Sequence, residues 1–166
     1  MLAHDRASKM TISEIEALAQ NVAKTITSAF IVETSESYAI EYDRDGSLRG
    51  DFERHFSHCG IYGFRVSRDG KVAIAYIGKA ENDGRLRQHL MRKNKNGTPL
   101  SSSTRTKHEK IKDFIGSGFS VSLCLFSDPA FCKSSLSCIE IASALLAKQQ
   151  LEEIFPSETH WDLRIG

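Results

Sequence analysis

The stretch "CGIYGFRVSRDGKVAIAYIGKA", Cys59 to Ala80, decides how the chain is read. Two apolar runs flank Asp69-Gly70, and Asp-Gly tolerates the positive φ angles of a tight turn, so the spacing predicts a β-hairpin. Strict alternation would put Tyr62, Phe64 and Val66 on one strand face, and Val72, Ile74 and Tyr76 on one face of the return strand. The end of the return strand does not read as plain core. A strand built only for burial needs neither Tyr76 nor Gly78 nor Lys79.

Working outward, Thr11 is placed to cap a helix in which Ile12, Ile15, Leu18, Ala19, Val22 and Ile26 recur at helical spacing, ending before about Thr34. An acidic segment with a turn at Asp45-Gly46 follows. Beyond the hairpin, a helix opening near Asp83 turns Leu86 and Leu90 to the core and sets Arg85 and His89 one turn apart on another face. The polar stretch "NKNGTPLSSSTRT" reads as a long loop. A short helix, "KHEKIKDFIG", buries Ile111, Phe114 and Ile115. The alternation of Phe119, Val121, Leu123 and Leu125 marks a third strand. A long helix capped by Ser134 or Ser135 carries Leu136, Ile139, Ala142, Leu145 and Leu146, and Pro156 ends it. The expected fold is α+β: a small three-stranded antiparallel sheet flanked by helices over residues 59–166, with a helical and acidic N-terminal extension over 1–58.

The composition is that of an ordinary globular chain of 166 residues with a net charge of +1. The charge is unevenly spread. Nine lysines and arginines between Arg85 and Lys112 face one acid, a local charge of about +8 that suits a polyanion. The segment from Val32 to Glu53 is acidic instead. Cys59, Cys124, Cys132 and Cys138 show neither a CxxC pair nor zinc-ribbon spacing, as expected of reduced intracellular thiols. "HFSHC" (His55, His58, Cys59) offers three metal-ligand types with no second cluster to complete a site. No apolar run reaches the roughly 20 residues that span a bilayer, and the N-terminus lacks a secretory signal, so no membrane association and a cytoplasmic location are expected.

The tripeptides Gly60-Ile61-Tyr62 and Tyr76-Ile77-Gly78, followed by Lys79, Arg85, His89 and, on the long helix, Glu140, resemble the GIY-YIG nuclease family. The likeness covers roughly Cys59 to Pro156. It implies a phosphodiester hydrolase in which Tyr62 is the general base and Tyr76 orients water or phosphate. Lys79 has a counterpart near the phosphate in those members that read "YIGKA". Arg85 four residues before His89 also matches the family pattern.

The residue types suit the chemistry on their own terms. Arg85 offers a permanent forked cation for phosphate oxygens, and His89 shuttles a proton or binds phosphate. Glu140 is a single carboxylate able to hold Mg²⁺, with Mn²⁺ as an alternative, when water and phosphate supply the other oxygens. A phenol near pKa 10 needs neighbouring cations to act as a base, and Lys79, Arg85 and the metal are the expected source. Arg87, Arg92, Lys93, Lys95, Arg105 and Lys107 are the expected backbone-tracking contacts to DNA.

The chain departs from the family in three ways. It has no asparagine after Asn96, leaving Asp162 as a stand-in. The wording around Glu140 differs from the usual "LExxLI", which keeps Glu152 and Glu153 as outside candidates. The 13-residue gap between the tyrosines is long. The expected function is a divalent-metal-dependent DNA endonuclease of restriction, phage or toxin type. The alternative is a catalytically inactive nucleic-acid-binding module of the same fold. Cutting both strands requires two sites, so a homodimer through the N-terminal helix is expected for that activity.

Overall fold

The hairpin forms, and its register carries more information than its existence. The computed structural model describes residues 11–32, 37–81, 84–91, 106–128 and 133–158. In chain order the elements are α1 (Ile12–Ile31), β1 (Ser37–Ala39), a short 3-10 turn (Glu53–His55), β2 (Gly60–Arg68), β3 (Lys71–Ala80), α2 (Arg85–Met91), α3 (Thr106–Gly116), β4 (Ser120–Phe126) and α4 (Lys133–Ile154). Asp69 (φ 53°) and Gly70 (φ 75°) both take the positive φ values of the tight turn.

From that turn the strands pair one to one, Arg68 with Lys71 back to Arg65 with Ile74; then Phe64 pairs with Tyr76, leaving Ala75 as an extra residue. This β-bulge turns both Ala75 and Tyr76 toward the same face. The face read from strict alternation is therefore corrected: Ile74 packs on the opposite side of the sheet from Tyr76. Had the count run on unbroken, Ile77 rather than Gly78 would oppose Tyr62, and Tyr76 would point away from it.

The α+β class holds, but the sheet has four strands rather than three, in the order β1-β4-β2-β3, all antiparallel. The added edge strand β1 sets Tyr38 opposite Leu123. Three residues inside an acidic run are too short to display an alternating pattern, so their pairing with β4 is dictated by tertiary structure. The Asp45-Gly46 turn closes a small hairpin, with Gly46 at φ 87° and Tyr42 bridged to Leu48.

Two apolar layers lie on the two faces of the sheet. On one, Tyr62, Phe64, Val66 and Tyr76 meet Leu86 and Leu90 of α2 and Ile111 and Phe114 of α3. On the other, Ile61, Ile74 and Ile77 meet Ala19, Ala23, Ile26 and Phe30 of α1 and the first turns of α4. The N-terminal helix is thus part of a core shared with the hairpin. Thr11 caps it in a reciprocal capping box with Glu14. Its buried stripe is the alanine-rich one, while Ile12 and Leu18 are exposed. At its other end the buried Arg65 donates to the carbonyls of Phe30 and Val32, both at 3.3 Å, satisfying acceptors the helix leaves open. The Phe30 ring lies on Gly63, where a Cβ would come within 2.8 Å of it.

Helix α4 packs on both the edge strand β3 and α1. Ser134 and Ser135, expected as its caps, fall inside its first turn, and Leu145 is exposed rather than buried. Among the described residues no helix is long and apolar enough to cross a membrane.

The bulge makes a deletion test possible. Removing Ala75 leaves Phe64–Tyr76 and Arg65–Ile74 paired and each side chain on its present face, so urea unfolding should register a change within about 1 kcal/mol. Removing Ala73 also closes the bulge but exchanges Ile74 and Ala75 between the two layers. That deletion should cost about 2–4 kcal/mol, as expected for emptying an isoleucine site.

Candidate active site

Three rings from three elements meet under the sheet. The centroids of Tyr62, Tyr76 and His89 are 5.8 to 6.0 Å apart, a nearly equilateral triangle. Tyr62 is fully buried, and its hydroxyl lies 2.8 Å from His89 Nε2 and hydrogen-bonds Tyr76 as well. The phenol lies across Gly78, its cross-strand partner. A Cβ there would be 2.7 Å from both Cζ and Oη of Tyr62 and 2.9 Å from Cε1 of Tyr76. Only glycine leaves room for both rings.

His89 is held from behind. Tyr42 Oη donates to the Leu90 carbonyl at 2.6 Å, and His108 Nδ1 donates to the His89 carbonyl at 3.2 Å. Both bonds fall on main-chain carbonyls of the last described turn of α2. Neither Tyr42 nor His108 stood out in the sequence. A buried polar residue that serves a backbone carbonyl carries no periodic signal.

Electrostatics draws in the remaining residues. Burial raises the Tyr62 pKa well above that of a free phenol, Tyr76 and Glu140 add to the rise, and Arg85 opposes it. His89 is pushed down to about 3, first by burial, then by Arg85 and Lys107. At neutral pH the pair is therefore a neutral phenol against a neutral imidazole. The expected lowering of the phenol by neighbouring cations is outweighed by desolvation. His89 Nδ1 is buried with no hydrogen-bond partner among the described residues. In the Nδ1-protonated tautomer, Nε2 accepts the Tyr62 proton.

Glu140 is the only buried carboxylate among the described residues. Lys79, at the end of β3, reaches Ser137 Oγ at 2.7 Å and Glu81 Oε1 at 2.9 Å. Ser137 lies one turn before Glu140 on α4, so this contact ties the end of β3 to the helix bearing the carboxylate. Nothing local in the sequence marks Ser137 either. Arg85 is exposed at the head of α2. Lys107 Nζ stands 4.6 Å above the Tyr76 ring.

Other expected residues lie elsewhere. Arg87 turns to Glu53 at 3.4 Å and stacks on Phe56 at 4.8 Å. Glu152 and Glu153 are exposed three turns beyond Glu140, Glu152 being paired with Lys148 at 3.8 Å. Arg92, Lys93, Lys95, Arg105 and Asp162 lie outside the described residues. The "HFSHC" groups go separate ways: His55 stacks on Tyr38 at 4.0 Å, His58 Nε2 lies 3.1 Å from the Ile61 carbonyl, and Cys59 is exposed. Among the described residues no group of three or more His, Cys, Asp or Glu side chains is arranged to hold a metal. No family model, curated protein or solved structure matches this chain.

Two measurements probe this arrangement. Gly78→Ala should lower stability by about 1–3 kcal/mol, and combining it with Tyr62→Ala should recover part of that loss in a double-mutant cycle. The second concerns pH. His89 has a folded pKa near 3 against an unfolded value near 6.5, so between these values the unfolded chain binds more protons. Stability is therefore lost as pH falls below about 6.5. Between pH 7 and pH 5 the wild type should lose about 2 kcal/mol more than His89→Gln in chemical denaturation.

Proposed function

We propose that this protein is a divalent-metal-dependent DNA endonuclease of the GIY-YIG type, with Tyr62 and His89 as its proton-transfer pair. The observation that carries the reading is the 2.8 Å bond between Tyr62 Oη and His89 Nε2 inside a cluster that also holds Tyr76 and feels Arg85 and Glu140. The tripeptides alone are weak evidence. The meeting of Tyr62, Tyr76 and His89 at one buried point, on which Arg85 and Glu140 act electrostatically, supports a reaction centre.

The chemistry follows from the charge states. A buried phenol that stays neutral cannot serve as a standing phenolate. It can pass a proton through itself: Tyr62 Oη accepts a proton from the attacking water while its own proton moves to His89 Nε2. The resulting imidazolium is favoured by the negative charge gathering on the phosphate as the bond to water forms. Tyr76 orients the water or a non-bridging oxygen beside Tyr62, and Arg85 meets phosphate oxygens from the exposed side of α2. Gly78 keeps the space over which these rings lie. Glu140 would hold Mg²⁺, which supplies charge neutralisation for the departing oxygen. Ser137 steadies the Lys79 ammonium at the border of that region. The excess of positive charge between Arg85 and Lys112 favours a polyanionic substrate. Cutting both strands would require two such centres, and a homodimer supplies them.

The test is plasmid cleavage. Wild-type protein with Mg²⁺ should nick or linearise DNA, EDTA should abolish this, and Glu140→Gln and Tyr62→Phe should each slow it by about 100-fold or more. Cleavage that persists in EDTA and in Glu140→Gln would remove the metal-carboxylate part of the reading. DNA binding without cleavage under every metal condition would favour the inactive binding module.

A further inference from the structure

We propose that Lys107, on α3, is a catalytic residue of this centre that contacts the phosphate undergoing cleavage. This rests on the phosphodiesterase reading and extends it to an element that neither tripeptide nor the Arg85–His89 pair includes. The sequence marks Lys107 only as one cation among nine in a basic stretch, a backbone-tracking contact. Its position sets it apart.

The Tyr76 ring is stacked on Phe64, with centroids 6.1 Å apart and planes 23° from parallel, and the Lys107 ammonium stands 4.6 Å from the Tyr76 centroid. A cation at that distance is attracted to the ring face and fixes the plane of the phenol. The same ammonium acts electrostatically on His89, which places it within range of the Tyr62–His89 pair. Lys107 is half-buried, so its charge is less screened than that of a fully exposed lysine. Its neighbour on α3, His108, holds the His89 carbonyl. One turn of α3 therefore both holds the main chain at His89 and delivers a cation over Tyr76.

A phosphate brought to Tyr62 and Tyr76 is met by Lys107 on the α3 side, while Lys79 is held toward α4 by Ser137. As negative charge builds on the non-bridging oxygens, an ammonium fixed in this position gains more in the transition state than in the bound substrate. Arginine keeps the charge but spreads it over a planar fork, whereas methionine keeps the stem and loses the charge.

The experiment pairs kinetics with a readout independent of turnover. Single-turnover cleavage is compared for wild type, Lys107→Met, Lys107→Arg and the exposed α3 control Lys110→Met, with DNA affinity measured by anisotropy in Ca²⁺. The expected pattern is a fall of about 100-fold in the cleavage rate of Lys107→Met at nearly unchanged affinity, recovery to within about tenfold in Lys107→Arg, and no change in Lys110→Met. In parallel, the ¹⁵N-ammonium resonance of Lys107 is followed in wild type during titration with a dithymidine phosphate dinucleotide, where a saturable shift is expected. A shift with no cleavage by the wild type in any metal would support the phosphate contact while removing the endonuclease reading. Lys107→Met cutting at the wild-type rate, losing affinity but not rate, or a Lys107 resonance unmoved by the dinucleotide would each overturn the assignment.

Discussion

Strand β3 carries one residue more than β2 can pair, and the candidate site depends on where that residue is absorbed. Because Ala75 bulges immediately before Tyr76, the second tyrosine joins the face of the first, and Gly78 rather than Ile77 lies beneath the Tyr62 ring. A β-carbon at position 78 would occupy the phenol's place. Once Tyr62 is laid over that glycine, its hydroxyl reaches the end of α2, and His89 becomes its hydrogen-bond partner. Tyr42 and His108 then hold the main chain of α2 at Leu90 and His89. The long gap between the tyrosines therefore follows from an inserted residue that the hairpin accommodates without misdirecting either ring.

Burial sets the chemical character of the pair. In water a phenol and an imidazole differ by about 3.5 pKa units, and the phenol would give its proton only to a stronger base. In this core both are driven toward neutrality from opposite sides, the phenol upward and the imidazole downward. A transfer along the 2.8 Å bond would separate charge in a low-dielectric interior, so the pair rests neutral.

Much of this was legible in the sequence, and the parts that were not share a cause. The hairpin, its Asp-Gly turn, the helices and the strand at Phe119 to Leu125 are all written in local periodicity or turn chemistry. Tyr62, Tyr76, Arg85, His89 and Glu140 could be picked out from their types and order. Strand β1 was not legible because three residues cannot show a period. The bulge leaves no mark in the alternation, which assumes an unbroken count. His108, Tyr42 and Ser137 serve single polar atoms brought near by the fold, and nothing local marks them. Arg87 and Lys107 looked alike as members of a basic stretch, yet one lies on Phe56 and the other on Tyr76.

The reverse side of β2 has a consequence for genetics. Phe30 rests on Gly63, and Arg65 ties down the end of α1, so the strand bearing Tyr62 is gripped from the face opposite its phenol. A screen for loss of function would return changes at Phe30, Gly63 and Arg65 beside changes at Tyr62 and His89. On a linear map the first group would resemble a second functional region spread from the N-terminal helix into the hairpin. In space it is the back of the same strand, and a phenotype there would report the seating of Tyr62 rather than contact with any substrate.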